Sequence, residues 1–140
     1  MTNYIHTVHY YETDKMGITH HSNYIRWMEE ARVAFLDEIG WPYRKLEEVG
    51  LVSPVMEVNA KYLRPTEFGD KISVCVEIRE LKLSKMKIGY TMKKEDGTLV
   101  AEGESMHAFL LSSGRPALLK KDFSGLYEAL LAHVAAEDVK

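Results

Sequence analysis

The chain has 140 residues, 46% of them apolar and 28% charged, with a net charge of −3. This is the length of one domain able to bury a core, and its slight acidity leaves no basic footprint for nucleic acid. Cys75 is the only cysteine, which excludes an internal disulfide, and no run of about 20 apolar residues is present to span a bilayer as a helix.

In chain order, Tyr4–Tyr11 is rich in aromatic and β-branched residues and reads as a strand. A turn around Asp14–Gly17 follows. Asn23–Ile39 then reads as a helix, with its start at Ser22 or Asn23. Tyr24, Ile25, Met28, Ala31, Phe35, Leu36 and Ile39 recur at helical spacing. Trp27, Val33 and Ala34 widen that surface, the pattern of a buried helix. Glu29, Glu30, Arg32 and Asp37 form its polar strip. Gly40 with Pro42 just beyond is a stop signal. Pro42–Val49 reads as a short second helix.

The hydrophobic period then changes from helical to alternating. Val55–Tyr62, Lys71–Leu81 and Lys85–Lys93 each alternate apolar and polar residues, which predicts strands with one buried face. Pro65–Asp70 connects two of them. Glu95-Asp96-Gly97 is a hairpin turn signal leading into a strand over about 99–111. Phe123, Leu126, Tyr127, Leu130, Leu131 and Val134 make an amphipathic stripe that predicts a last helix docked on its own fold. The order is α+β, with an antiparallel sheet around one long central helix. A single domain over 1–140 is expected, with its core over about 4–120 and the C-terminal helix over about 123–137.

The chemistry concentrates between Asp14 and Tyr24. A carboxylate, a turn glycine and His21 stand just before the long helix. A helix N-terminus offers unpaired N–H groups and partial positive charge, a setting that stabilises an oxyanion in acyl transfer. Taken alone, Thr13-Asp14 reads as a turn pair bonded to its own backbone. Gly17 suits a backbone conformation that other residues resist, with close approach to a ligand. Asn23 reads equally as a helix cap or a pocket residue. His20-His21 with Asp14 lack metal-ligand spacing, so no metal is expected. Cys75 lies in an alternating strand without a base partner and reads as a packed thiol.

Tyr10-Tyr11-Glu12-Thr13-Asp14, then Gly17-Ile18, then His21-Ser22-Asn23-Tyr24, resembles the signature of hotdog acyl-CoA thioesterases of the 4-hydroxybenzoyl-CoA thioesterase type. Glu30-Ala31-Arg32, Tyr62-Leu63-Arg64-Pro65 with Gly69-Asp70, and Gly114-Arg115-Pro116 continue the match to about residue 120. The resemblance implies a hotdog fold and hydrolysis of an acyl-CoA thioester to acid and coenzyme A. It implies that Asp14 attacks the thioester or activates water. It implies that His21 acts through its backbone N–H on the carbonyl, or through its imidazole. Gly17, Ile18, Asn23 and Tyr24 are the expected substrate-binding residues. Lys82 and Lys85, flanking a strand turn, are candidates for the coenzyme A phosphates, with Arg64, Arg79 and Lys87 behind them.

No cofactor is expected beyond the coenzyme A of the substrate. The resemblance also implies a homodimer or homotetramer joined at sheet edges, with active sites at the interface; an unpaired strand edge gives the physical reason. The segment after Met1 lacks a basic stretch followed by an apolar one, so a cytoplasmic protein is expected. Three alternatives stay open: an acyl carrier protein thioester as substrate, a hotdog hydratase, and a non-catalytic acyl-CoA-binding module. The seven-residue gap from Asp14 to His21 speaks against the hydratase, and the presence of Asp14 against the binding module.

Overall fold

The computed structural model describes residues 2–134. The strands are β1 (Thr2–Thr7), β2 (Leu51–Val52), β3 (Val55–Tyr62), β4 (Lys71–Leu81), β5 (Lys85–Lys94), β6 (Leu99–Ala108) and β7 (Leu110–Leu111). The helices are α1 (Ser22–Glu38), α2 (Tyr43–Glu48), α3 (Leu119–Asp122) and α4 (Ser124–Leu131). Five strands form one antiparallel sheet in the order β1-β4-β5-β6-β3. β2 and β7 make a separate two-stranded ladder.

The sheet wraps α1. Tyr24, Trp27, Met28, Ala31, Phe35 and Leu36 of α1 are buried, spaced at one helical face. They meet Ile72, Val74, Val76 and Ile78 of β4 and Met86, Ile88, Tyr90 and Met92 of β5, every second residue of each strand. α1 ends where Gly40 adopts φ +86. Its N–H donates to Asp37 O and the Trp41 N–H to Leu36 O, closing the last turn as a Schellman motif. Gly103 on β6 has no room for a side chain, because a Cβ would stand 2.4 Å from the Asn59 carbonyl oxygen.

Several boundaries differ from the sequence expectation. The first strand stops at Thr7, and Tyr10–Glu12 is a 3-10 turn. The Glu12 side chain reaches back to the His9 N–H and bends the chain there. The strand expected over 99–111 breaks at Phe109, which is buried and donates its N–H to Ser84 O. Beyond the break, β7 pairs with β2, a strand too short to show a period. The expected last helix is α4, which ends at Leu131 rather than running on, and a four-residue helix, α3, precedes it. Leu126 and Leu130 of the stripe are buried in the core, Val134 bridges Ile78 beyond the helix end, and residues 135–137 of the expected helix lie outside the described residues.

Two expectations about burial are corrected. Arg32 is not on a solvated strip but buried at 2% exposure, its guanidinium 5.5 Å from the Tyr43 ring centre. β3 has no buried face in the protomer. Val55, Met56 and Val58 are exposed, because β3 pairs with β6 alone and α1 packs mainly on β1 and β4, reaching β3 around Ala60. No helix among the described residues is long and apolar enough to cross a membrane.

Candidate active site

Asp14 sits in a tight loop between the 3-10 turn and α1. Its N–H donates to Ile18 O at 2.8 Å, its C=O accepts from Gly17 N at 3.0 Å, and its Oδ1 accepts the Met16 N–H at 2.8 Å. Gly17 holds φ +81, a conformation that closes this loop and resists any other residue. Thr13 bridges Thr19 across the loop, and Thr19 is buried and bonded to Thr66. The carboxylate is thus presented half-buried on a small closed frame.

α1 begins beside it. Around its first turn most amides are already used. His20 N–H donates to Glu12 O, Ser22 N–H to His20 Nδ1, Asn23 N–H to His20 O and Tyr24 N–H to His21 O. The His21 amide alone in this run has no acceptor among the described residues. The His21 ring is exposed, stacked on His20 at 4.4 Å and edge-on to Tyr62 at 5.9 Å.

Asp14 is shared by two clefts. One, of about 360 Å³, is lined by Asp14, Met16, Ile18, Thr19, His21, Tyr24, Tyr62, Leu63, Arg64 and Pro65. Tyr24 is buried in its wall, its hydroxyl 3.1 Å from Thr66 Oγ1 and its ring 5.1 Å from that of Tyr62. Burial pushes the Tyr24 phenol up from its ordinary pKa. The other cleft, of about 710 Å³, is lined by Tyr10, Tyr11, Thr13, Asp14, Lys15, His20, Ser22, Asn23 and Arg26.

The structure therefore brings together Asp14, Ile18, His21 and Tyr24 on one cleft, with Gly17 shaping the loop, and Asn23 on the other. Asn23 does not cap α1. It lies inside the first turn, buried, and its Nδ2 donates to Glu12 O and His20 O. Lys82 and Lys85 are not brought to this site within the protomer. They flank the β4–β5 turn, whereas Asp14 lies beside Thr66, near the other end of β4. The 11 residues of β4 span roughly 33 Å at the usual strand rise. Tyr62, Leu63 and Pro65 were not expected in the site, though they stand in a quoted stretch of the match. Lys15 and Arg26 were also missed; their signal was sequence proximity to Asp14 and to the helix start.

One group of described residues has metal-ligand spacing: His6, His9 and Glu12, with ligand atoms within 4.8 Å of one another. Both Glu12 oxygens already accept N–H donors, from His6 Nε2, the His9 amide and Trp27 Nε1. Hydrogen bonding therefore ties His6 to Glu12, and His9 joins them through its backbone amide.

A model of the thioesterase-like superfamily matches residues 8–130. The chain is 30% identical over 111 residues to a 1,4-dihydroxy-2-naphthoyl-CoA hydrolase of Thermosynechococcus vestitus, covering 79% of this chain and 76% of that protein. Its fold matches a DHNA-CoA thioesterase from Staphylococcus aureus with TM-score 0.88 and 26% identity, over 94% of this chain and 89% of that one. It matches a gentisyl-coenzyme A thioesterase with TM-score 0.81 and 27% identity, over 93% and 99%. The chain belongs to the thioesterase-like superfamily, the hotdog-fold hydrolases of thioesters.

Proposed function

We propose that the protein hydrolyses an acyl-CoA thioester to the free acid and coenzyme A, with Asp14 as base or nucleophile. The observation that carries this reading is that His21, whose amide at the start of α1 has no acceptor among the described residues, lines the same cleft as Asp14. A thioester carbonyl seated there meets a donor that has no competing acceptor. As water or the Asp14 carboxylate attacks, charge develops on the carbonyl oxygen and the amide and helix terminus stabilise it. The carbon–sulfur bond then breaks and the coenzyme A thiolate leaves. If Asp14 itself attacks, the acyl group passes to its carboxylate as an anhydride that water opens.

The acyl group fits the side of Asp14 walled by Ile18, Tyr24, Tyr62, Leu63 and Pro65. Relatives named for dihydroxynaphthoyl and gentisyl thioesters support an aromatic acyl group here. The cleft on the other side carries Lys15 and Arg26, whose charges suit a phosphorylated carrier. Lys82 and Lys85 can meet that carrier only from a second protomer. A second copy is expected, because β3 offers a free edge flanked by exposed Val55, Met56, Val58 and Tyr62. The half-buried free thiol of Cys75 suits a reducing, cytoplasmic setting.

Thiol release measured over a panel of short, medium, long and aromatic acyl-CoAs tests the reading. Turnover with an aromatic preference is expected. No release from any acyl-CoA, with a matched acyl carrier protein thioester cleaved, contradicts coenzyme A as the carrier.

A further inference from the structure

Glu12 makes more hydrogen bonds than any residue around Asp14, and nothing in the proposed hydrolysis uses it. It is buried at 5% exposure, two residues before Asp14. Its carboxylate accepts three donors at 2.8 Å each: His6 Nε2–H from β1, the His9 amide from the 3-10 turn, and Trp27 Nε1–H from α1. Its backbone carbonyl accepts two more, the His20 amide at 2.8 Å and Asn23 Nδ2–H at 3.0 Å. Burial raises the carboxyl pKa most, yet the bonds from His9, His6 and Trp27 together leave it lowered. The charged form is the one built into the site.

These bonds have a common geometric effect. On one side of Glu12 the chain runs into the loop that presents Asp14. On the other side its bonds hold His20 and Asn23, close to His21 in the chain, and Trp27 one turn further along α1. We propose that Glu12, with His6 and Trp27, is a positioning residue that fixes the distance between the Asp14 carboxylate and the His21 amide. This rests on the hydrolytic reading above. Misplacing a reacting group by about 1 Å costs ~100-fold in rate, so a hub at this point has leverage without touching substrate.

Glu12→Gln keeps the shape and replaces one acceptor oxygen with an NH2 group. With the amide oxygen kept by His6 and His9, that NH2 faces the Trp27 N–H, donor against donor. The expected result is a folded protein whose kcat per folded molecule falls at least ~10-fold with KM within about threefold of wild type. Amide exchange should quicken at His20 and across residues 13–23, while Val74–Ile78 stay protected. Adding Trp27→Phe removes the opposed donor and should restore part of kcat. Should Glu12→Gln fail to fold, Trp27→Phe alone removes one of the five bonds and should show the same split at smaller size. An unchanged kcat per folded molecule, or unchanged exchange at His20, overturns the proposal. If wild type cleaves no thioester, the hydrolytic reading fails by itself, and exchange at His20 alone decides whether Glu12 holds the loop.

Discussion

His21 carries two chemically separable groups, an amide at the start of α1 and an imidazole facing solvent. Proline at this position removes the N–H while φ −57 already suits its ring. His21→Pro should lower kcat by about 10²–10³, the usual loss for one oxyanion donor. His21→Ala keeps the amide and should lose less than ~10-fold if the backbone is the working group. Steady-state kinetics of the two variants decide between the roles; equal losses would point to the imidazole.

His107 makes a second residue-scale prediction, this time about stability. It is buried, with Nε2 2.7 Å from Ser105 Oγ. Burial, assisted by the Arg32 guanidinium, pushes its pKa down from 6.5 to about 4. The unfolded imidazole gains a proton below about 6.5, whereas the native one stays neutral until about 4. Stability therefore falls as pH drops through that window, and the effect levels off below it. The cost is of order 3 kcal/mol, from about 1.4 kcal/mol per pH unit. Denaturant unfolding at pH 7.5 and pH 4.5 should show a smaller drop for His107→Gln than for wild type.

At the scale of elements, the alternating strands and the long helix were legible because each has a period and a face. α1 reads from its apolar spacing and its Gly40 stop, and β4 and β5 from strict alternation. β2 and β7 are two residues each, too short for any period, and only their mutual pairing makes them strands. The end of β1 was hidden because aromatic residues run on past Thr7, while the Glu12 side chain decides the bend. β3 misled in the opposite way. Its alternation is real, yet only Ala60 is half-buried against the core and the other residues of β3 stay exposed. The expected resolution is a second copy on the β3 edge. Sedimentation at micromolar concentration should find a dimer or larger, and Val58→Lys should shift it towards monomer. A wild-type monomer would contradict this use of the edge.

At the scale of the molecule, the fold places Asp14 and the start of α1 together by a short run of chain. That is why most of the candidate site was readable from sequence: Asp14, Gly17, Ile18, His21 and Tyr24 lie within eleven consecutive residues. Tyr62, Leu63 and Pro65 reach the same cleft from the end of β3, a closeness that only sheet pairing sets. Lys82 and Lys85 show the converse, since a basic pair in sequence says nothing about which end of a strand it occupies. The most direct test of the whole account is kcat for thiol release by Asp14→Asn beside wild type, on the best acyl-CoA of the panel. Asparagine keeps the size and an acceptor for the Met16 amide but neither takes a proton nor attacks. A loss of ~100-fold or more in a folded variant is predicted, and a rate equal to wild type would contradict the role given to Asp14.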